Sequence, residues 1–356
     1  VSLDHREEDE TLLANLRTGD WLDSVEFPPL RYAVPELLPE GFTLLAGSPK
    51  VGKSWLVLDM LLSVAGAGRA LSSISVPESR PVLYLALEDG DRRMQERCRT
   101  ILDDRFIPRN FHYVTDCTYP LMTIRAWLER YDGAVIVLDT LGKVMEDGKP
   151  GDNSYQRDYK MAGGFKSICA DFPGVSILAV HHDRKATSDD FVQSVSGTNG
   201  IAGAADTIMI LNRARNSDDG LLKVTGRDVL ESEYALIRSG PSWRLHGGTL
   251  ESARDAATSV RNSMKAAGLG PRMQETLELV NQHPEGISPK LADAALGATD
   301  SRTYLPRLVE RGLIESPRRG LYVPVATVAT LQTVTADVTS QHLQHDFEEF
   351  DDVTDF

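Results

Sequence analysis

The chain has 356 residues, 41% apolar and 25% charged, which marks a folded globular protein with one large domain and something smaller beside it. Its longest apolar stretch, Trp55–Gly68, contains Asp59 and is shorter than the roughly 20 residues a membrane helix needs; the acidic start lacks a signal peptide's hydrophobic region, and three scattered cysteines form neither a metal spacing nor a disulfide framework, so a cytoplasmic protein without a membrane partner is expected. The net charge of −14 sits at the two ends, −7 in residues 1–40 and −7 in 325–356, leaving 41–324 neutral with 35 acids and 35 bases, so overall acidity does not exclude a nucleic-acid partner.

Residues 1–40 read as an acidic leader, extended over 20–41, where four prolines break any period. From 42 onward short apolar runs alternate with helical patterns. Strands are expected at Phe42–Ala46, Pro81–Leu87, Phe111–Thr115, Ala134–Leu138 and Val175–Val180. Helices are expected near 53–66, 91–102, 122–131 and 153–171. Continuous β-branched runs separated by helices predict an α/β domain over 41–248, with a mostly parallel sheet covered on both faces. After about 205 the segments TIMIL, LLKVTG, EYALIR and SWRLHG predict an antiparallel extension of that sheet. Residues 249–270 read as a linker with helical potential. Residues 271–324 predict three helices and a terminal hairpin, the plan of a winged helix-turn-helix. Residues 325–356 read as a disordered acidic tail.

Gly47-Ser48-Pro49-Lys50-Val51-Gly52-Lys53-Ser54 fits G-x-x-x-x-G-K-[ST], with a buried strand before it and an apolar helix after it. The glycines let backbone N–H groups turn toward phosphate oxygens, and the helix N-terminus adds partial positive charge. Lys53 would reach the β- and γ-phosphates of ATP, and Ser54 would offer its hydroxyl to Mg²⁺. Asp139 ends a buried strand at the edge where ligands bind in such sheets, and can hold the same Mg²⁺ directly or through water.

The pieces GSPKVGKS, LYLALED, VIVLDT, LAVHHD and LKVTGRDV, in that order over about residues 41–240, resemble a RecA-like P-loop ATPase, nearest the RepA-type hexameric replicative helicases. The resemblance implies a water-positioning carboxylate at the end of the strand after the P-loop helix. That is Glu88, with Asp89 as its competitor. It implies a γ-phosphate sensor at His181 or His182, with His182 preferred. The polar stretch Asp183–Gly203 then becomes a channel loop, with Arg184 and Lys185 on a DNA backbone and Gln193, Ser194 and Ser196 as relays. Lys223 and Arg227 would act on a neighbouring subunit's γ-phosphate, with Arg213 and Arg215 as rival fingers; Lys-x-x-x-Arg departs from the Lys-x-Arg of replicative helicases.

The resemblance implies a ring, most simply a hexamer, driven by ATP along single-stranded DNA of a plasmid, phage or mobile element. No collar-sized domain is expected before the P-loop. A recombination or repair ATPase, or a regulatory ATPase using the winged helix, remain the alternatives. In that module Arg302, Arg307 and Arg311 lie on the second helix of the motif and Arg318 and Arg319 on the wing, but seven acids balance seven bases over 271–324, so docking to protein stays open beside DNA binding. The tail Asp346–Phe356 resembles the acidic tip of single-stranded-DNA-binding proteins and offers itself to a replication partner; a purely solubilising role is the alternative.

Overall fold

The computed structural model describes residues 13–14, 16–144, 154–182, 199–214, 217–297 and 300–325. In chain order these form α1 (Gly19–Ser24), a hairpin β1 (Tyr32–Val34) and β2 (Leu38–Pro39), β3 (Gly41–Ala46), α2 (Lys53–Gly66), a small hairpin β4 (Arg69–Ala70) and β5 (Ile74–Ser75), β6 (Val82–Ala86), α3 (Asp91–Leu102), β7 (Phe111–Val114), α4 (Pro120–Leu128), β8 (Val135–Asp139), α5 (Leu141–Val144), α6 (Ser154–Asp171) and β9 (Ser176–Val180). There follow α7 (Asn199–Ala204), β10 (Thr207–Arg213), β11 (Asp219–Gly226), β12 (Ser232–Ser239), β13 (Ser242–Leu245) and α8 (Leu250–Ala267). The chain closes with α9 (Pro271–Asn281), α10 (Pro289–Leu296), α11 (Ser301–Glu310), β14 (Ile314–Arg318) and β15 (Leu321–Pro324).

The frame is a nine-stranded sheet in the order β13-β12-β11-β10-β3-β9-β8-β6-β7. From β10 to β7 all neighbours run parallel. The expected α/β architecture is therefore present. β6, β8 and β9 are buried at every position, which only helices on both faces can produce. One face carries α2, α3 and the β1–β2 hairpin over a core that includes Leu56, Met60, Tyr84 and Trp243. The other carries α4, α6 and α7 over Phe42, Ile136, Phe165 and Ile177, with the Phe42 and Phe165 rings stacked at 5.1 Å. α2 is apolar nearly all round and buries Leu56 through Leu58, Met60 through Leu62, Val64 and Ala65, as a helix wedged inside a domain must.

Four segments differ from the sequence-based expectation. The leader is not extended throughout. Thr18 caps α1 by accepting from the Trp21 N–H, and Ala33, Val34, Leu37 and Leu38 are buried in the main core. β10 belongs to the parallel set, pairing with β3 from Thr207↔Thr43 to Ile210↔Ala46; the antiparallel extension begins only at β11. The hairpin β4–β5 has no sequence signal, because its strands are two residues long. Residues 250–267 form a capped helix, α8, whose Ala253, Ala257 and Val260 are buried; such small residues let a helix lie close to the sheet without a bulky apolar stripe.

The elements after α8 have a core of their own, including Leu277, Val280, Leu305, Leu308 and Ile314. Ile287 bridges Tyr322, adding a third short strand contact to the β14–β15 pair. Among the described residues no helix is long and apolar enough to cross a membrane.

Candidate nucleotide site

Strand order decides which side chains can meet. β3, β9, β8 and β6 are consecutive neighbours, so the segments leaving their carboxyl ends lie side by side: Gly47–Ser54, His181–His182, Asp139 and Glu88–Asp89. This edge is where parallel sheets bind ligands.

The loop after β3 is shaped by its glycines. Gly47 has φ 156° and Gly52 has φ 113°. A Cβ on Gly47 would lie 2.5 Å from the Leu211 carbonyl oxygen, and one on Gly52 would lie 2.8 Å from Trp243 Nε1. Gly52 is the N-cap of α2 and no side chain caps the helix, so the first N–H groups of α2 remain available to an anion. Lys53 is almost fully buried. Its Nζ donates to the Gly47 carbonyl at 2.7 Å and the Ser48 carbonyl at 3.0 Å, and lies 3.2 Å from His182 Nδ1. A lysine ammonium can only donate, so Nδ1 accepts and the His182 proton resides on Nε2. That nitrogen is 3.8 Å from Glu88 Oε1. Lys53, His182 and Glu88 thus form one line across the edge. His181 instead continues the β-ladder, its N–H donating to the Leu45 carbonyl at 2.8 Å.

Asp139 is 4% exposed. Its Oδ2 accepts from the Tyr84 hydroxyl at 2.8 Å, while its Oδ1 is buried without a hydrogen-bond partner. Burial raises its pKa above the usual carboxylate value, opposed by hydrogen bonds from Ser54 and Tyr84 and assisted by the charges of Glu88 and Asp89. An unpaired buried carboxylate oxygen beside a serine hydroxyl suits a divalent cation. Ser54, Glu88, Asp89 and Asp139 line one small polar pocket together with Arg93 and Arg97. No group of three or more His, Cys, Asp or Glu among the described residues is placed to hold a metal alone; a magnesium ion bound through one or two protein oxygens plus substrate phosphates needs no such group.

The two acids after β6 have different surroundings. Asp89 is held by Arg97 at 2.5 Å and Arg93 at 3.3 Å, with its side chain 5% exposed. Glu88 is 44% exposed and accepts from Thr140 Oγ1 at 3.3 Å. Sequence reasoning missed Tyr84, Arg93, Arg97 and Trp243. A tyrosine inside the buried run VLYLA is a readable hint, since its hydroxyl needs a partner. The arginines sit on α3 at i+4 and i+8 from Asp89, and Arg97 also lies 5.3 Å above the Trp55 ring.

Lys223 and Arg227 are not brought to Lys53. Lys223 pairs with Glu233 at 2.9 Å, and Glu233 also takes Arg261. Arg227 follows the end of β11 and donates to Asp206 Oδ1 at 3.1 Å. Asp206 Oδ2 accepts from the Phe42 N–H at the amino end of β3, so Arg227 occupies the edge of the sheet opposite the P-loop. Arg213 ends β10 on the P-loop's edge and donates to the Ser217 carbonyl at 2.7 Å. Arg184, Lys185, Gln193, Ser194, Ser196, Arg215 and the tail Asp346–Phe356 lie outside the described residues.

A strand, a G-x-x-x-x-G-K-S loop, an apolar helix and a buried acid two strands away define a P-loop ATPase of RecA-like architecture. Residues 7–188 match the AAA domain family, half of the chain, and the chain belongs to that family. Among solved structures it is similar to one titled as an isolated ATPase domain, at 12% identity and TM-score 0.46 over 58% of this chain and 85% of that one. It is also similar to one titled "The Structure Of A DnaB-Like Replicative Helicase And Its Interactions With Primase", at 12% identity and TM-score 0.48 over 67% and 70%. No curated protein matches the sequence.

Proposed function

We propose that this chain is an ATP-driven motor on single-stranded DNA, working as a homo-oligomeric ring, most simply a hexameric replicative helicase of a plasmid, phage or mobile element. ATP binds with its phosphates in Gly47–Ser54. Ser54 and Asp139 hold Mg²⁺, which neutralises charge on the phosphates. Lys53 transfers its hydrogen bonds from the Gly47 and Ser48 carbonyls to phosphate oxygens. Glu88 orients the attacking water and accepts its proton, and Asp89, neutralised by two arginines, takes no part in that step.

The observation that carries the reading is the line from Lys53 through His182 to Glu88. His182 touches the phosphate-binding lysine and lies at the start of Asp183–Gly203, the segment proposed to contact DNA. Loss of the γ-phosphate changes what Lys53 binds, His182 feels that change, and the following segment carries it to the strand. Arg227, and Lys223 beside it, act in trans on the neighbour's nucleotide. The test is ATP-dependent strand displacement on a forked duplex, with electron microscopy of the protein, ATP and single-stranded DNA. Displacement by rings supports the reading; filaments, or ATP hydrolysis without displacement, would favour a recombination or repair ATPase.

A regulatory ATPase is the second reading, and the core within 271–324 favours it. Leu305 and Leu308 bury one side of α11 while Arg302, Arg307 and Arg311 stay exposed, as a winged helix-turn-helix requires of a helix entering a major groove. Sequence-specific duplex binding by the full chain, lost in Arg302→Ala/Arg307→Ala, would support it. The acidic tail is proposed to dock on a replication partner. A peptide of residues 346–356 binding such a partner more tightly than the same peptide without Phe356 tests that.

A further inference from the structure

The P-loop is held from a direction that nothing in its motif announces. Trp243 lies on β13, the outermost strand at the antiparallel end of the sheet, and is fully buried. Its Nε1–H donates to the Gly52 carbonyl at 3.2 Å. That carbonyl also accepts the first helical bond of α2, from the Leu56 N–H at 3.1 Å. Two glycines make room for the indole. A Cβ on Gly52 would come 2.8 Å from Nε1, and one on Gly220, in β11, would come 2.7 Å from the far end of the ring. The indole therefore fills the space between the sheet extension and the phosphate loop, and its one polar atom meets the residue that starts the phosphate-binding helix.

We propose that Trp243 is a positioning residue for nucleotide binding: by holding the Gly52 carbonyl it fixes the orientation of the Gly52–Lys53 peptide and of the amide cradle around it. The proposal rests on the ATPase reading above. Its signature follows from which phosphates the cradle serves. Backbone N–H groups at a P-loop and helix N-terminus grip phosphates that ADP and ATP share, whereas discrimination of the γ-phosphate falls to Lys53, His182 and Glu88. An interaction made equally in ground and transition states alters binding and leaves the chemical step alone. Removing the indole N–H should therefore weaken ADP and ATP by the same factor and leave kcat unchanged. One neutral hydrogen bond, worth about 0.5–1.5 kcal/mol net, converts to a factor of roughly 2–13.

The experiment uses the full-length chain with Trp243→Phe, and with benzothienylalanine at 243, in which sulfur replaces the N–H while the ring's volume stays. The second variant decides if the first fails to fold. Dissociation constants for ADP and ATP are measured by titration calorimetry, kcat by steady-state hydrolysis, and the rise in Tm on adding ADP by thermal unfolding. The expected result is an equal rise in both dissociation constants of about 2- to 13-fold, kcat within twofold of wild type, and a smaller ADP-induced rise in Tm. Unchanged dissociation constants with a lowered basal Tm would overturn the proposal and leave Trp243 a packing residue. A fall in kcat at unchanged affinity would overturn it as well. Failure of the wild-type chain to bind either nucleotide would sink the ATPase reading itself, an outcome separate from an unaltered variant of a binding-competent protein.

Discussion

The two halves of the sheet treat their charged residues differently. In the parallel half, strand ends bring Lys53, His182, Glu88 and Asp139 to one edge, and each meets the others or a neighbouring support: Lys53 to loop carbonyls and His182, Asp139 to Tyr84, Glu88 to Thr140. In the antiparallel half the two candidates for action on a γ-phosphate are spent within their own subunit, Lys223 on Glu233 and Arg227 on Asp206. The first pattern is a site that one chain assembles by itself. The second is what a contribution in trans would look like inside a single chain, and also what an ordinary structural ion pair looks like. Exposure separates the two cations: Arg227 keeps 58% of its side chain exposed, Lys223 15%. An exposed ion pair is worth at most about 1 kcal/mol, so Arg227 can leave Asp206 for a phosphate at small cost, while Lys223 must break a half-buried network with Glu233 and Arg261.

The comparison breaks first at Lys53. Lys53→Ala should abolish ATP hydrolysis and strongly weaken nucleotide binding, because it removes the phosphate's cation and the ties to Gly47 and Ser48 together. Turnover near wild type in the purified variant would mean that the parallel half is not the active site. The antiparallel half is tested next. Arg227→Ala should lower turnover by ~10³–10⁵, or about 4–7 kcal/mol, with ATP affinity little changed. Mixing Arg227→Ala with Lys53→Ala subunits should restore some activity, since a mixed interface joins an intact P-loop to an intact arginine. If no ratio gives rescue while assembly persists, the finger lies elsewhere, and Arg213 on the P-loop's own edge becomes the residue to substitute.

A smaller effect sharpens the contrast within the parallel half. Glu88→Gln should bind ATP normally and hydrolyse it ~10²–10⁴ more slowly, because the amide cannot accept a proton from water. Asp89→Asn should cost far less, its charge being already neutralised by Arg93 and Arg97. The reverse order in single-turnover hydrolysis would exchange their roles.

The smallest effect concerns the support beneath the P-loop helix. Asp59, on α2, accepts from the Leu71 N–H at 2.7 Å, and burial pushes its pKa from 3.8 up to about 6. A carboxyl whose folded pKa is raised contributes stability that is complete below its unfolded pKa and is lost as pH rises through the folded one. Wild-type stability should therefore fall relative to Asp59→Asn between about pH 4 and pH 6 and stay lower above it. About two pKa units correspond to roughly 3 kcal/mol. Urea unfolding of both proteins at about pH 4.5 and about pH 7.5, on either side of most of that fall, measures the change, and a pH-independent difference would assign Asp59 an ordinary carboxylate's behaviour.

Much of this was legible without coordinates, for reasons that differ by element. A buried parallel strand needs a run such as AVIVL, a phosphate loop needs Gly47 and Gly52 where a Cβ would collide, and the helix after it must be apolar all round. Each is a local demand written in consecutive residues, so β3, α2, β6, β8, β9 and the placement of Asp139 and Glu88 at strand ends follow from the sequence. What the sequence left open is what depends on residues far apart in the chain. It could not choose between Glu88 and Asp89, because the choice rests on Arg93 and Arg97 turning toward one of them. It could not choose between His181 and His182, because the ladder bond to Leu45 and the approach to Lys53 are made across strands. It put β10 in the antiparallel extension, because a strand's direction is set by the strand beside it rather than by its own residues. It gave no sign of Trp243, which lies 191 residues from Gly52 and meets it because three antiparallel strands fold the chain back toward the start of the P-loop helix.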